Sequence, residues 1–386
     1  MSLADREEPT TTKTGSYDYD FGTGEGEFKD IPSMRPLETT EDWAHIFAQF
    51  NLDPAAFEIL GNTVRCSTWQ QSKRLEDGSR DIINLFSYRA MFRRVTTAVD
   101  LPSLYAAARR RPLKKLPAQT TGRTSVPVLA DPQIGKVGSR GGTPELLDRL
   151  AEKREKLAAE LKRRKPEDIF LPDINDLFEN FNSGGNPMFT NDLSLSQQMD
   201  VASTEVYELV RTACRFGRVR VAVVSSNHTA WRNGPQNLGR PGDDLGIFVH
   251  RQVEKVARAA GLDAEWIFPP MYDESMVVDV RGTRVGMVHG NQFRPGKAPE
   301  WWAKQSHGGQ PVGGADVLLT GHYHHLSILP SGRNPHTGRS KWWIQAPTLD
   351  NGSDWFRNIA GDDSDPGMLL FDITDDGFDL QSLTVL

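Results

Sequence analysis

Two imidazoles one residue apart, His322 and His324, close the run Ala315-Asp316-Val317-Leu318-Leu319-Thr320-Gly321-His322-Tyr323-His324-His325. Neutral imidazole is the commonest protein ligand for transition metals, and a loop at a strand tip can turn two such rings toward different ions. Taken alone, Gly-His-Tyr-His is equally a histidine-rich surface loop, so the other ligands decide. They recur at four further places, each after a short apolar run: Asp131 with Gln133, Asp173 or Asp176, Asn227 beside His228, and His289. Carboxylate, amide oxygen and imidazole together suit Mn, Fe, Zn or Ni better than a metal that prefers thiolate. One bridging carboxylate can hold two ions roughly 3.5–4 Å apart.

The apolar runs are the elements that must position these groups. Val126–Ala130, Ile169–Leu171, Val219–Val224, Arg284–Val288 and Val317–Leu319 have the length and β-branched content of buried strands. Between them lie helical patterns. Thr143 caps and Pro144 opens a helix carrying Leu146, Leu147, Leu150, Leu157 and Leu161 on one side. Leu193–Phe216 and Val249–Ala260 read as two more, and Met276–Val280 pairs with Arg284–Val288 around Gly282. Leu326–Leu329, Lys341–Gln345, Met368–Thr374 and Leu380–Leu386 supply later strands. Strands alternating with helices early and hairpins late predict a layered α/β domain, whose strand C-terminal ends are where open sheets bind ligands.

Upstream, residues 1–36 are rich in Gly, Thr, Ser, Asp and Glu and read as a disordered acidic tail. From Thr39, a helix capped by Thr39 or Thr40, with Trp43, Ile46, Phe47 and Phe50 on one face, starts a small α+β module over 37–106. A second short helix at Ala55–Leu60 and a hairpin of Thr63–Trp69 with Ile82–Ala90 make it compatible with a winged helix. Between Asn62 and Arg123 thirteen Lys or Arg stand against four acids, in a chain whose net charge is -6. Basic residues interleaved with Trp69, Phe86, Tyr88 and Phe92 could contact phosphates and stack bases, or the rings could be the module's own core. Residues 107–124 read as a basic linker. Two distant cysteines, Cys66 and Cys214, suggest no disulfide framework and fit a reducing compartment. With no apolar leader or membrane span visible, a cytoplasmic protein is expected.

The ordered set Asp131-x-Gln133, Asp176, Asn227-His228, His289, Gly321-His322-x-His324 resembles the calcineurin-like metallophosphoesterase superfamily over about Ser125 to Leu386. Its texture is most similar to phage-encoded phosphoesterases and repair-type exonucleases, through Asp131 to Lys136 and through Asn175-Asp176-Leu177-Phe178-Glu179-Asn180. The resemblance implies an α/β/β/α sandwich over 125–386 holding two divalent ions, Mn first, with Mg, Fe, Zn or Ni as alternatives. Asp131, Gln133 and His324 would hold one ion, Asn227, His289 and His322 the other, and Asp176 would bridge, with Asp173 as a rival. His228 would be the general acid or transition-state stabiliser. The implied activity is phosphodiester hydrolysis, most of all a DNA nuclease of exonuclease type. A small-molecule phosphatase, a cyclic-nucleotide phosphodiesterase and a degenerate DNA-binding adaptor are the rivals. Relatives in this family work as homodimers or with a partner ATPase. Four positions depart from the family pattern: Gln133 replaces a histidine, Asn175 a glycine, and Ser226 with Thr229 a glycine and an acid around Asn227-His228.

Overall fold

The computed structural model describes residues 15–20, 25–54, 56–75, 77–94, 121–181, 191–233, 236–352, 357 and 365–386. The chain divides into two compact units, Met1–Thr97 and Ala98–Leu386.

The first unit is an antiparallel sheet of β1 (Ser16–Asp20), β2 (Glu25–Ser33), β3 (Phe57–Ile59), β4 (Arg65–Arg74) and β5 (Arg80–Arg94), with one helix, α1 (Thr40–Gln49). The long β5 pairs with β2, β3 and β4. Thr39 caps α1 in a capping box with Asp42, as its sequence predicts. Trp43, Ile46 and Phe47 then bury one face against Phe28, Tyr88 and Phe92. This arrangement corrects three expectations. The acidic tail is ordered over β1 and β2, because Phe28 and Ile31 of β2 enter this core and Tyr19 stacks on Phe92. The expected helix at Ala55–Leu60 is instead strand β3, since alternate residues Phe57 and Ile59 pack on the sheet while the backbone pairs with β5. Among the described residues, one helix on a five-stranded sheet is not a winged helix. Phe92 and Tyr88 are core residues, whereas Trp69 is 42% exposed on the hairpin. The basic run Arg109 to Lys115 lies outside the described residues.

The second unit has the expected α/β/β/α layering. Its first sheet runs in the order β11 (Ala264–Ile267), β8 (Arg218–Val223), β7 (Asp168–Asp173), β6 (Arg123–Val128), β17 (Leu369–Thr374), β18 (Gly377–Val385). The second runs β12 (Ser275–Val280), β13 (Thr283–Val288), β14 (Val317–Thr320), β16 (Ser340–Gln345), β15 (Ser327–Arg333). Helices α2 (Thr143–Arg164), α3 (Leu195–Ala213) and α4 (Leu245–Ala259) cover the first sheet, and α5 (Ala298–His307) covers the second. Strands β9 (Arg232–Asn233) and β10 (Gln236–Asn237) pair antiparallel.

Period-two alternation builds these layers. In β7, Ile169 and Leu171 pack toward the helices while Phe170 enters the core between the sheets. In β14, Val317 and Leu319 enter the same inter-sheet core, and Leu318 joins Trp302 of α5 and Trp343 on the far side. Strands buried on both faces read as continuous apolar runs, which is why they were legible. Strand β11 and helix α5 were not expected: the first is four residues long, and the second carries Trp301, Trp302 and a single buried stripe too short to show a period. No helix among the described residues is long and apolar enough to cross a membrane.

Candidate functional site

The parallel strands β6, β7, β8, β13 and β14 each end at one of the sequence-predicted positions. Their exits are sharply turned. Asp131, Gln133, Asn175, Asp176, His322 and His324 all have positive φ, between 44° and 70°. Non-glycine residues in this region store strain, and such strain clusters where side chains must be aimed.

Asp176, His289 and His322 gather their ligand atoms within 4.8 Å of one another, and among the described residues they are the group of this kind. His289 Nε2 lies 3.0 Å from Asp176 Oδ2 and 3.2 Å from His322 Nδ1. Its Nδ1 faces the Ile174 carbonyl at 2.9 Å, which holds the ring and leaves Nε2 for the cluster. Gly290 follows with φ +127°, where an added Cβ would stand 3.1 Å from His322 Cβ. Asp176 Oδ1 accepts the His228 backbone N–H at 3.0 Å, while its buried Oδ2 faces the rings of His289 and His228 at 3.0 and 3.6 Å. Asn227 Oδ1 is buried without a hydrogen-bond partner. A buried oxygen left unsatisfied in this way is costly unless a ligand completes it. Together with two imidazoles these oxygens fit a divalent ion.

Asp173 goes elsewhere: its Oδ2 meets His250 Nε2 at 2.7 Å, and Trp266 Nε1 donates to His250 Nδ1 at 3.2 Å. Of the two aspartates, Asp176 alone sits in the cluster. His228 stands beside it, Nε2 3.6 Å from Asp176 Oδ2 and Nδ1 3.2 Å from Glu179 Oε2. Burial opposes charge on this ring, but Asp176 and Glu179 outweigh burial and push it up to about 9. The same contest, with Asp176 as the main partner, lifts His289 to about 9. Burial and the neighbouring His289 drive His322 down to about 3, so its ring is neutral and able to ligate.

Asp131, Gln133 and His324 are arranged differently. Both Asp131 oxygens lie 3.1 Å from the His322 backbone N–H. Gly321 permits that approach, since a Cβ there would stand 2.4 Å from Asp131 Oδ2. His324 Nε2 is 3.7 Å from Asp131 Oδ1, and its Nδ1 is 3.8 Å from Asp350 Oδ2. Gln133 Oε1 accepts from Lys136 Nζ at 2.6 Å, leaving Nε2 3.4 Å from His228 Nε2. Lys136 Nζ also donates to Asp350 Oδ2 at 2.5 Å.

The departures from the family pattern are linked to one another. Asn175 adopts φ +70°, which asparagine tolerates. Its Nδ2 donates to Val224 O and to Asp244 Oδ1. Ser226 Oγ accepts from Asp176 N at 3.0 Å and lies 2.8 Å from Thr229 Oγ1. Asp244, the N-cap of α4, also accepts from Ser226 N and from Thr229 Oγ1. One buried carboxylate thus ties the Asp176 loop to the Asn227-His228 loop. Asp244 and Asp350 lie outside the sequence motifs, whereas Lys136 and Glu179 lie within them. The place of the last two next to the ligands was a usable signal.

No family model and no curated protein matches this chain. Solved structures do. Vps29 from Entamoeba histolytica, complexed with zinc, is 14% identical over 68% of this chain and 97% of that one, with a TM-score of 0.32. A predicted phosphoesterase from Streptococcus pneumoniae is 12% identical over 69% and 99%, with a TM-score of 0.25. PhoD is 8% identical over 81% and 78%, with a TM-score of 0.31. These likenesses are distant, and the chemistry below stands on the residues of this chain.

Proposed function

We infer that this chain is a metal-dependent phosphoester hydrolase whose substrate is a nucleic-acid phosphodiester, DNA cut in exonuclease fashion. The carrying observation is the buried Asp176, His289 and His322 cluster, with Asn227 Oδ1 of the neighbouring loop buried without a hydrogen-bond partner. A divalent ion there, Mn in the first instance, would polarise a phosphoryl oxygen and bring the pKa of water toward neutrality. Asp176, His289, His322 and Asn227 would hold it. His228, still 13% exposed at its side chain, is oriented by Glu179 and can give a proton to the leaving oxygen.

The substrate class is supported by what borders this cluster. A cavity of about 70 Å³ opens beside Ser225 and Ser226 and is lined by Trp231, Arg232 and Arg240. Arg232 Nε is buried there without a hydrogen-bond partner. Trp231 is 54% and Tyr272 72% exposed, with the Arg240 guanidinium 5.1 Å from the Tyr272 ring centroid. Guanidinium groups next to open aromatic faces suit a single strand, whose phosphates and bases need those two partners. In the first unit, Arg65, Lys73, Arg74 and Arg80 are exposed along the β4–β5 hairpin.

The test is hydrolysis of end-labelled single- and double-stranded DNA beside bis-nitrophenyl phosphate, with Mn present or chelated, for native protein and His289→Ala. DNA should be shortened only with metal and only by native protein. Cleavage of the small diester alone would leave the hydrolase and remove DNA as its substrate. No cleavage of either by metal-loaded protein would overturn the reading.

A further inference from the structure

Three residues of metal-ligating type, Asp131, His324 and Asp350, stand on the Gln133 side of the site, yet they do not close into a cluster as Asp176, His289 and His322 do. A lysine occupies the place between them. Lys136 Nζ donates to Gln133 Oε1 at 2.6 Å and to Asp350 Oδ2 at 2.5 Å, and the Asp350 side chain is 1% exposed. The same Asp350 oxygen lies 3.8 Å from His324 Nδ1. Because an ammonium only donates, Gln133 must turn its oxygen to Lys136 and its nitrogen toward His228. Its one good ligand atom is therefore engaged. Asp131 is engaged as well, by the His322 backbone N–H.

We propose that this site holds a single divalent ion, at Asp176, His289 and His322, and that the Lys136 ammonium supplies the second positive charge that two-ion hydrolases take from another metal. This rests on the hydrolase reading above and specifies its charge arrangement. Gln133 is then a positioning residue for Lys136, and the replacement of histidine by glutamine is the change that removes an ion and admits the lysine. The Gln133 amide oxygen accepts from the ammonium at 2.6 Å. A lysine ammonium and a divalent cation sharing these partners would repel strongly in so buried a site, so one excludes the other.

Catalysis needs positive charge where the phosphoryl group gains negative charge. As water attacks phosphorus, a new P–O bond forms and the bond to the leaving oxygen breaks with its electron pair. That oxygen takes the proton from His228, and the proton lost by water restores the balance through solvent. Lys136, 14% exposed at its side chain, stabilises a non-bridging oxygen during the step. Burial opposes its charge, but Asp350 and Glu179 keep it protonated, above the ordinary lysine value.

The experiment is elemental analysis and Mn electron paramagnetic resonance on full-length native protein dialysed after loading with excess Mn, together with kinetics of Lys136→Ala and Lys136→Arg on bis-nitrophenyl phosphate. We expect one Mn per chain with the spectrum of an isolated ion. Lys136→Ala should keep that ion and lose about 100-fold in kcat with little change in KM, while Lys136→Arg recovers part of the loss. Two ions per native chain with an exchange-coupled spectrum would overturn the proposal and leave the hydrolase intact. An unchanged kcat in Lys136→Ala would overturn it too, even with one ion bound. No bound ion and no hydrolysis in native protein would overturn both readings. The native stoichiometry decides even if a variant fails to fold.

Discussion

Replacing Asp244 with alanine should loosen the candidate site and destabilise the second unit together. The carboxylate caps α4 through Gly246 N at 2.8 Å and Ile247 N at 3.0 Å. It also accepts from Asn175 Nδ2 at 2.9 Å, Ser226 N at 3.2 Å and Thr229 Oγ1 at 2.7 Å. Loss of an N-cap costs about 1 kcal/mol. Of the other donors, the Thr229 hydroxyl keeps Ser226 Oγ nearby, so Ser226 N–H and one Asn175 N–H are the groups stranded. At roughly 1–3 kcal/mol for each buried orphan, the total is about 3–7 kcal/mol. For a unit of this size that is on the order of a 10 °C fall in Tm. Because Ser226 Oγ accepts from Asp176 N, the same change should weaken Mn binding. Thermal melting by circular dichroism and Mn titration by calorimetry read the two effects. A fall in Tm below about 3 °C would refute the energetic reasoning, and a full fall with unchanged Mn affinity would refute the claim that Asp244 holds the Asp176 loop.

Further outcomes follow from single contacts. Gly321→Ala places a methyl 2.4 Å from Asp131 Oδ2, so Mn affinity and hydrolysis should fall while the protein stays folded, with a stability cost of about 1–3 kcal/mol in denaturant titration. Burial alone would raise Asp350, but the Lys136 ammonium holds it down at about 2, below its ordinary 3.8. A depressed carboxyl contributes stability that is present above 3.8 and lost as pH falls through about 2; in Lys136→Ala the acid transition followed by fluorescence should move to higher pH. Thr39→Ala removes the capping box of α1 and should cost about 1 kcal/mol in melting of the first unit. Trp231→Ala should weaken binding of a labelled single strand by about tenfold in fluorescence anisotropy, and native binding should fall steeply with salt.

Much of the second unit was legible because its strands are buried on both faces. Val219–Val224 and Val317–Leu319 read as strands from composition, and the two imidazoles after Gly321 pointed at the site directly. The ordered acids, amides and histidines named Asp176, His228, His289 and His322, which the structure brings together. The first unit was less legible. Its core is assembled from Phe28, Trp43, Phe47 and Phe92, residues far apart in the chain, so the sheet strand at 25–33 looked like part of a polar tail. Pairing with β5 likewise overrode the local helical reading of residues 55–60.

The sequence by itself determined the strand-and-helix order of the second unit and the chemical types at its strand ends, because burial pattern and ligand identity are written in local residue choice. Only the tertiary structure decided between Asp173 and Asp176, sending the first to His250 and the second to His289. It also engaged Gln133 with Lys136 and Lys136 with Asp350, residues 214 positions apart. Which oxygen faces which donor depends on backbone turns at positive φ and on contacts between distant loops, and neither is encoded in the spacing of a motif.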